Sequence, residues 1–288
     1  MELSFYLIQL LNGIQFGFLL FLVASGLTLV FGIMDVINLA HGSFYMIGAY
    51  LAYWLTGIFG NLFLGIFLAI PLAIAIGMAV EKLAIAYVYK KGHLHQVLLT
   101  YALILIFDEL QRLLWGNDSH SVDIPAFLSG SIPLTDIQVY PVYRIFLSAV
   151  CIIIGIGMFY VIQKTKLGMT IRAGASNREM AQALGINIEW LFTVVFSLGV
   201  GLAAFAGMIA APVDSLYPGM GDHILILSLV VVVIGGIGSI KGAFVGAMII
   251  GVSSIFGKTL LPDMASVIVY AMMAAILIWK PKGLFPAL

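Results

Sequence analysis

The stretch TKLGMTIRAGASNREMAQALGINIE, residues 165–189, is a charged island between two long apolar runs. Ser176 followed three residues later by Glu179 is typical of a capping box, which satisfies free N–H groups at a helix start. Gly185 stands where the end of a helix favours a left-handed residue. The pattern therefore predicts a short helix of about eight residues, roughly 12 Å long at 1.5 Å per residue.

The predicted helix is amphipathic. Met180, Ala181 and Leu184 are expected on one side of it, with the charges of Arg178 and Glu179 elsewhere. A short capped helix with an apolar side needs something to cover that side. The candidates are the surface of a lipid bilayer and a groove on another protein.

Composition sets the class of protein. The chain is 62% hydrophobic and 9% charged, with a mean hydropathy of +1.15. Apolar runs of about 20 residues, enough to cross a bilayer core of about 30 Å, recur along its whole length. They lack the alternation of a transmembrane barrel. We expect an all-α, polytopic helical membrane protein with a single membrane domain, residues 1–288. A net charge of zero argues against a nucleic-acid partner.

The apolar runs predict eight or nine membrane spans, eight if one segment is re-entrant. The start MELSF lacks the basic region of a secretory signal, so the first span is expected to be retained. The predicted spans lie near residues 5–33, 36–56, 61–88, 95–115, 141–163, 190–211, 222–240, 242–261 and 264–280.

The charges orient these spans. The loop of residues 116–140 contains Asp118, Asp123 and Asp136 and has neither Lys nor Arg. By the positive-inside rule, this loop is periplasmic and the basic ends are cytoplasmic, together with the island at about 164–189. An odd number of spans then gives a periplasmic N-terminus and a cytoplasmic C-terminus. Nine of the 13 basic residues cluster at the other set of span ends: Lys90, Lys91, Lys164, Lys166, Arg172, Arg178, Lys241, Lys280 and Lys282.

Small residues predict close helix contacts. Gly199, Ala203, Gly207 and Ala211 recur every four residues, a spacing that lets helix backbones approach closely in lipid. Charges, in contrast, are almost absent from the middle of the spans. An unpaired charge there costs several kcal/mol, and a proton-driven transporter usually needs a carboxylate or histidine relay. The sequence offers no obvious relay.

Neutral polar residues are concentrated in one segment, Thr28–Tyr50. Polar and glycine-rich sequence at membrane depth favours an interrupted helix that lines a cavity; the alternative is a cytoplasmic turn followed by an ordinary helix. A second glycine-rich segment covers residues 234–246. The candidates for lining a translocation path are Asn38, His41, Ser43, Tyr45, Gly235, Gly236 and Gly238.

No enzyme or metal chemistry is indicated. GVSSIFGKT at 251–259 resembles a phosphate-binding loop, but five residues separate its glycines where that loop requires four. The five histidines are scattered, so no metal site is expected. Cys151 stands alone in an apolar run, which excludes an intrachain disulfide.

Three blocks of sequence together carry a family resemblance. They are GLTLVFGIMDVINLAHGSFYMIGAY (26–50), GMTIRAGASNREMAQALGINI (168–188) and GGIGSIKGAFVGAMIIG (235–251). The chain closely resembles the integral membrane permeases of bacterial high-affinity branched-chain amino acid ABC transporters, specifically the smaller of the two permeases. The glycine block is shared more widely, including with sugar permeases of the same superfamily.

The resemblance implies a non-catalytic subunit of the inner membrane that forms half of a solute pathway. Its partners would be a second permease, which the resemblance implies is a different chain, a periplasmic solute-binding protein and two ATP-binding subunits. ATP and magnesium would bind to the ATP-binding subunits. This chain itself is expected to bind no cofactor. The acidic outer loop with Asp214 and Asp222 could orient the binding protein. The residues that resemble the docking element for the ATP-binding subunits are Arg172, Ala173, Asn177, Arg178, Glu179, Ala181, Leu184 and Gly185.

The substrate is left open. Leucine-type amino acids are expected first, and urea, short amides or other small organic acids are alternatives within the family. An ion-coupled secondary transporter and a passive channel remain as different classes of protein.

Overall fold

The structure, a computed structural model, describes residues 2–89, 91–134 and 138–285. Lys90 and Asp136, used above to orient the spans, lie outside the described residues. The helices are α1 (Glu2–Met34), α2 (His41–Phe59), α3 (Leu62–Leu83), α4 (His93–Trp115), α5 (Val142–Lys164), α6 (Lys166–Ser176), α7 (Arg178–Ala183), α8 (Ile188–Ala210), α9 (Met220–Gly235), α10 (Ile240–Leu260) and α11 (Ala265–Trp279).

The other regular elements are short. Three 3₁₀ turns cover Ile85–Val88, Ala126–Leu128 and Pro262–Met264, and β1 (Ser131–Pro133) pairs antiparallel with β2 (Val139–Pro141). The predicted all-α class is therefore confirmed, apart from this small hairpin in the loop after α4.

Within the described residues, six helices are long and apolar enough to cross a membrane, and α9 is apolar but shorter. This number is below the predicted eight or nine spans. Polar side chains lower the hydropathy of the other two: α4 carries Asp108, Glu109 and Arg112, and α2 carries His41 and Ser43. The six segments are Ser4–Met34, Leu62–Val88, Val142–Lys164, Ile188–Ala210, Ile240–Leu260 and Pro262–Trp279.

The bundle has two chemically different ends. At one end, Arg178 Nη2 donates to Ile33 O over 3.0 Å and Leu284 N donates to Ile234 O over 2.8 Å. We call this the basic end, because it gathers the described members of the basic cluster. The loop after α4 lies at the opposite, acidic end, where His120 pairs with Leu216. The grouping of charges is as predicted, whereas the side of the membrane that each end faces stays a prediction.

Helix α1 is the central element, and glycine backbones bring its neighbours close. A Cβ on Gly13 would lie 2.7 Å from Val252 Cα of α10, and one on Gly26 would lie 2.5 Å from Gly199 O of α8. Real Cβ atoms do not come so near backbone atoms, so these crossings require glycine. The close contacts predicted from the spacing of small residues are confirmed at Gly199.

The helices fall into two halves of opposite orientation. In the first half α3 packs on α2 and on α8; in the second, α10 packs on α9 and on α1. The two long central helices, α1 and α8, contact each other and run antiparallel, because Ile33 at the end of α1 is bonded to Arg178 just before α8. The unit α1–α4 therefore corresponds to α8–α11, turned upside down.

Each half contains a break after its central helix. Residues 35–40 lead back from the basic end, and His41 Nε2 donates to Val23 O over 3.0 Å, about three turns before the end of α1. Residues 211–219 lead back from the acidic end to the start of α9. Helices α2 and α9 thus begin in the middle of the bundle. The predicted interruption of the helix in the polar segment is present, whereas the cavity that it was predicted to line stays a prediction.

Candidate functional site

The charged island folds as two helices rather than one. The side chain of Thr165 caps α6 by accepting from Gly168 N over 3.1 Å. A Cβ on Gly168 would lie 2.1 Å from Ile162 O, so only glycine lets α6 turn so tightly against the end of α5. Ile171 and Gly174 of α6 are buried and pack it onto the bundle. The island is therefore held rigidly at the basic end.

Helix α7 begins one residue later than predicted, and the predicted capping box is wrong. Ser176 is the last residue of α6, so its own backbone is helical and cannot cap the next helix. The cap is Asn177, whose extended backbone (φ −155°) lets its side chain accept from Met180 N over 2.9 Å. Because the start moves to Arg178 and Leu184 becomes the C-cap, α7 has six residues, fewer than the eight expected.

The end of α7 is as predicted. Gly185 has φ +87°, the left-handed conformation that suits glycine. Ile186 N donates to Ala181 O over 3.1 Å and Gly185 N to Gln182 O over 3.0 Å. These two bonds form a Schellman motif, which satisfies the last carbonyl groups of the helix. Both ends of α7 are therefore fixed by specific hydrogen bonds.

The apolar residues of α7 do not share one side, contrary to the prediction. Ala181 is 3% exposed and faces the bundle, whereas Met180 is 58% and Leu184 77% exposed. The reason is that the bundle itself covers the face of Ala181. Only Met180 and Leu184 are left to meet a partner, and Met180 follows the exposed Glu179 in the chain.

Two arginines attach the island to the helices around it. Arg178 donates to Ile33 O at the end of α1, and its guanidinium lies 5.3 Å from the centre of the Phe192 ring of α8. Arg172 donates to Ile162 O at the end of α5. Ala173 O accepts from Asn177 N over 3.0 Å, which joins α6 to α7. Of the predicted coupling residues, Arg172 and Arg178 are thus attachments within the chain.

A cleft of about 760 Å³ opens beside α7. Its walls include Arg178, Glu179 and Gln182 on one side and Glu81 and Tyr89 on the other. Glu81 is 2% exposed, although its place near the end of an apolar helix suggests only an interfacial charge. Its carboxylate accepts from the hydroxyl of Tyr89 and, over 2.8 Å, from Thr193 Oγ1. Sequence reasoning gave this residue no role.

Glu81 offers a test of the cleft. Glu81→Ala removes the acceptor of the Tyr89 hydroxyl and leaves Thr193 Oγ1 with one acceptor, Glu189 O at 3.1 Å. A buried donor without a partner costs about 1–3 kcal/mol. We expect a lower thermal unfolding midpoint of the purified chain and a loss of transport by the assembled complex. Glu81→Gln keeps one acceptor, so its unfolding midpoint and its transport rate should lie between those of Glu81→Ala and the wild type. The matched control is the exposed Glu189→Ala, from the same cleft. Equal behaviour of the Glu81→Ala and Glu189→Ala variants would show that the buried carboxylate is dispensable.

The polar residues around the start of α2 are buried at the centre of the bundle. Asn38 is 1%, His41 0%, Ser43 3% and Tyr45 0% exposed. Among the described residues, neither side-chain polar atom of Asn38 has a hydrogen-bond partner, nor has Nδ1 of His41. Buried polar atoms without partners are rare and call for an explanation.

The two central helix starts meet at a pair of glycines. A Cβ on Gly42 would lie 2.2 Å from Gly221 O, and a Cβ on Gly221 would lie 2.5 Å from Gly42 O. The backbones of α2 and α9 are therefore in direct contact at their first turns. Neither glycine was singled out from the sequence, because the requirement arises only from the contact between distant segments.

The other glycine candidates lie at the basic end instead. Gly236 (φ +103°) and Gly238 (φ +78°) form the turn between α9 and α10. Gly235 packs on Gly242, and its carbonyl accepts from Phe285 N over 2.9 Å. The structure thus places these three glycines with the C-terminal segment, whereas the polar candidates lie at the start of α2.

The chain belongs to the family of branched-chain amino acid ABC transporter permeases. The family model described as branched-chain amino acid transport system / permease component matches residues 9–277. The chain is therefore a multi-pass membrane protein and a transport subunit.

Relatives agree with this assignment over nearly the full length. The high-affinity branched-chain amino acid transport system permease protein BraD of Pseudomonas aeruginosa is 30% identical, with 98% of this chain and 96% of the relative aligned. LivH of Escherichia coli, of the same description, is 28% identical over the same shares. The probable branched-chain amino acid transport permease protein LivH of Methanocaldococcus jannaschii is 29% identical over 84% of this chain and 78% of its own. No solved structure matches the chain significantly.

Proposed function

We propose that this chain is the transmembrane permease subunit of an ATP-driven importer in a bacterial inner membrane. It forms half of a pathway for branched-chain or related amino acids, and a second permease of different sequence forms the other half. A periplasmic binding protein delivers the solute at the acidic end. Two separate subunits bind ATP and magnesium and dock at the basic end, which faces the cytoplasm.

The observation that carries the proposal is the exposed tip of α7. Met180 and Leu184 project from a helix whose two ends are fixed by a side-chain cap and a Schellman motif. An exposed apolar surface on a rigid helix next to charged groups supports the docking of another protein there. The cleft beside α7 supplies charged groups that can set the orientation of that protein.

Contacts within the chain connect this tip to the centre of the bundle. Arg178, the first residue of α7, is bonded to Ile33 at the end of α1. Further along α1, Val23 is bonded to His41 at the start of α2. A movement of α7 would therefore displace α1, and α1 would in turn displace the buried polar segment. The unpartnered atoms of Asn38 and His41 would find partners in water or solute once the segment opens.

Uptake in proteoliposomes tests the proposal. The chain is reconstituted with the permease, ATP-binding subunits and binding protein encoded beside it. We expect leucine, isoleucine or valine to accumulate only with ATP and to do so equally in the presence of an uncoupler. Collapse of uptake by the uncoupler at constant ATP would identify an ion-coupled transporter. Accumulation of urea or short amides in place of amino acids would assign the other substrate class of the family.

A further inference from the structure

Side chains of both charges converge at the acidic end, around Asp214. This residue lies in the segment 211–219 between α8 and α9; the residue as a whole is exposed, while its carboxylate is turned toward Tyr45 and partly shielded from solvent. Arg144 stands at the start of α5 and Lys258 near the end of α10. Tyr143, beside Arg144, donates its hydroxyl to Ile209 O near the end of α8 over 2.8 Å. Arg144 and Lys258 contact Asn12 and Phe16, which lie one turn apart on α1.

These charges interact without pairing. Desolvation by the surrounding protein raises the pKa of Asp214, while the positive charges of Arg144 and Lys258 and the bond from Tyr45 lower it. In the described part of the chain, Arg112–Glu109 is the ion pair within 4.0 Å, and neither cation of the Asp214 group forms one. Opposite charges held close but apart leave their hydrogen-bonding capacity for a ligand.

The side chains are held in position by contacts of their own. Tyr45, which is 0% exposed, donates its hydroxyl to Asp214 Oδ2 over 3.4 Å. Arg144 Nη1 donates to Asn12 Oδ1 of α1 over 2.5 Å. Lys258 Nζ lies 5.9 Å from the centre of the Phe16 ring, which also supplies apolar surface beside the charges. Helices α1, α2, α5 and α10 thus all contribute to one arrangement.

We infer that Asp214, Arg144 and Lys258 form a reception site for a zwitterionic amino acid at the outer mouth of the pathway. This inference rests on the proposed function. Asp214 accepts hydrogen bonds from the ammonium group, and Arg144 and Lys258 donate to the carboxylate. Phe16 is available to the apolar side chain. Asp214 repels a ligand that carries only a negative charge, and the two basic residues repel one that carries only a positive charge. Urea is uncharged and so gains no ion pair with either group.

The site also touches the buried polar segment. The residue beneath Asp214 is Tyr45, on the first turns of α2, close to where α2 meets α9. An ammonium group bound to Asp214 competes with the Tyr45 hydroxyl for the same carboxylate. Binding of the solute would therefore break a hydrogen bond of α2, the helix that begins at the centre of the bundle.

Three probes that differ in charge test the inference on the purified complex without its binding protein. They are leucine, leucinamide, which lacks the carboxylate, and 4-methylpentanoate, which lacks the ammonium group. Saturation-transfer NMR detects the weak binding expected of such a site. In Asp214→Asn we expect leucine binding to fall about tenfold and 4-methylpentanoate binding not to fall. In Arg144→Gln we expect leucine binding to fall similarly and leucinamide binding not to fall.

Asp263→Asn is the matched control, since Asp263 is an exposed carboxylate in the turn between α10 and α11. It should bind all three probes like the wild type. Leucine binding by Asp214→Asn at the level of Asp263→Asn would overturn the inference, and so would an equal loss of all three probes, which indicates structural damage. Failure of wild-type uptake with ATP would refute the proposed function instead, and is measured separately.

Discussion

Replacing Met180 and Leu184 together by aspartate is expected to abolish ATP-dependent uptake while the chain still inserts and folds. Both side chains are more than half exposed, so the change removes little packing within the chain. If a partner covers them, each loses about 1.5–3 kcal/mol of apolar burial, and desolvating the new carboxylates adds to the cost. Affinity for the ATP-binding subunits should then fall by a factor of about 10² to 10⁴.

The measurement is co-purification of the ATP-binding subunits with tagged chain, followed by uptake. Leu94→Asp is the matched control, because Leu94 is 68% exposed in the first turn of α4 at the same end of the bundle. Wild-type recruitment by the Met180/Leu184 double variant would refute the docking role of α7. Substitution of Ala181 and Gly185 is less informative: Ala181 is buried and Gly185 is left-handed, so changes there damage α7 itself.

The second large effect is expected at the meeting point of α2 and α9. Gly42→Ala places a methyl group 2.2 Å from Gly221 O, closer than any real contact, so the two helix starts must separate. Overpacking of this kind costs about 1–3 kcal/mol, and more where backbone rather than side chain has to move. The thermal unfolding midpoint should fall, and transport should be lost.

Gly57→Ala is the control on the same helix. A Cβ at Gly57 meets nothing within 4 Å, so alanine should be neutral or stabilise α2 by up to about 1 kcal/mol through its higher helix propensity. Gly221→Ala should resemble Gly42→Ala, since each glycine faces the carbonyl of the other. If Gly42→Ala unfolds at the same temperature as Gly57→Ala, the close contact between α2 and α9 is not present in the folded protein.

The sequence predicted the features that depend on local pattern. The membrane class, the break before α2 and the left-handed end of α7 all follow from composition, glycine and polar residues within a few positions. The start of α7 was predicted one residue early for a tertiary reason. Ser and Asn are both favoured N-cap residues. Asn177 caps α7 because α6 extends through Ser176.

The features that were missed depend on distant residues. Glu81 meets Thr193 across more than a hundred positions, and Gly42 meets Gly221 across still more. A single sequence contains no local signal for such pairs. The prediction that Met180, Ala181 and Leu184 share one face was wrong for the same reason. The burial of Ala181 depends on how α6 and α7 pack against the rest of the bundle. The coupling and pathway roles themselves stay predictions.

The opposed orientation of the two halves limits the kinds of shape change open to the molecule. One break is entered from the basic end and the other from the acidic end, while α2 and α9 diverge from a common point. If the first half adopted the geometry of the second and the second that of the first, the new shape would be related to the old one by a half-turn about an axis in the bilayer plane. A pathway that had opened to one side of the membrane would then open to the other side instead. Each half would adopt contacts that the other half already makes in the present fold.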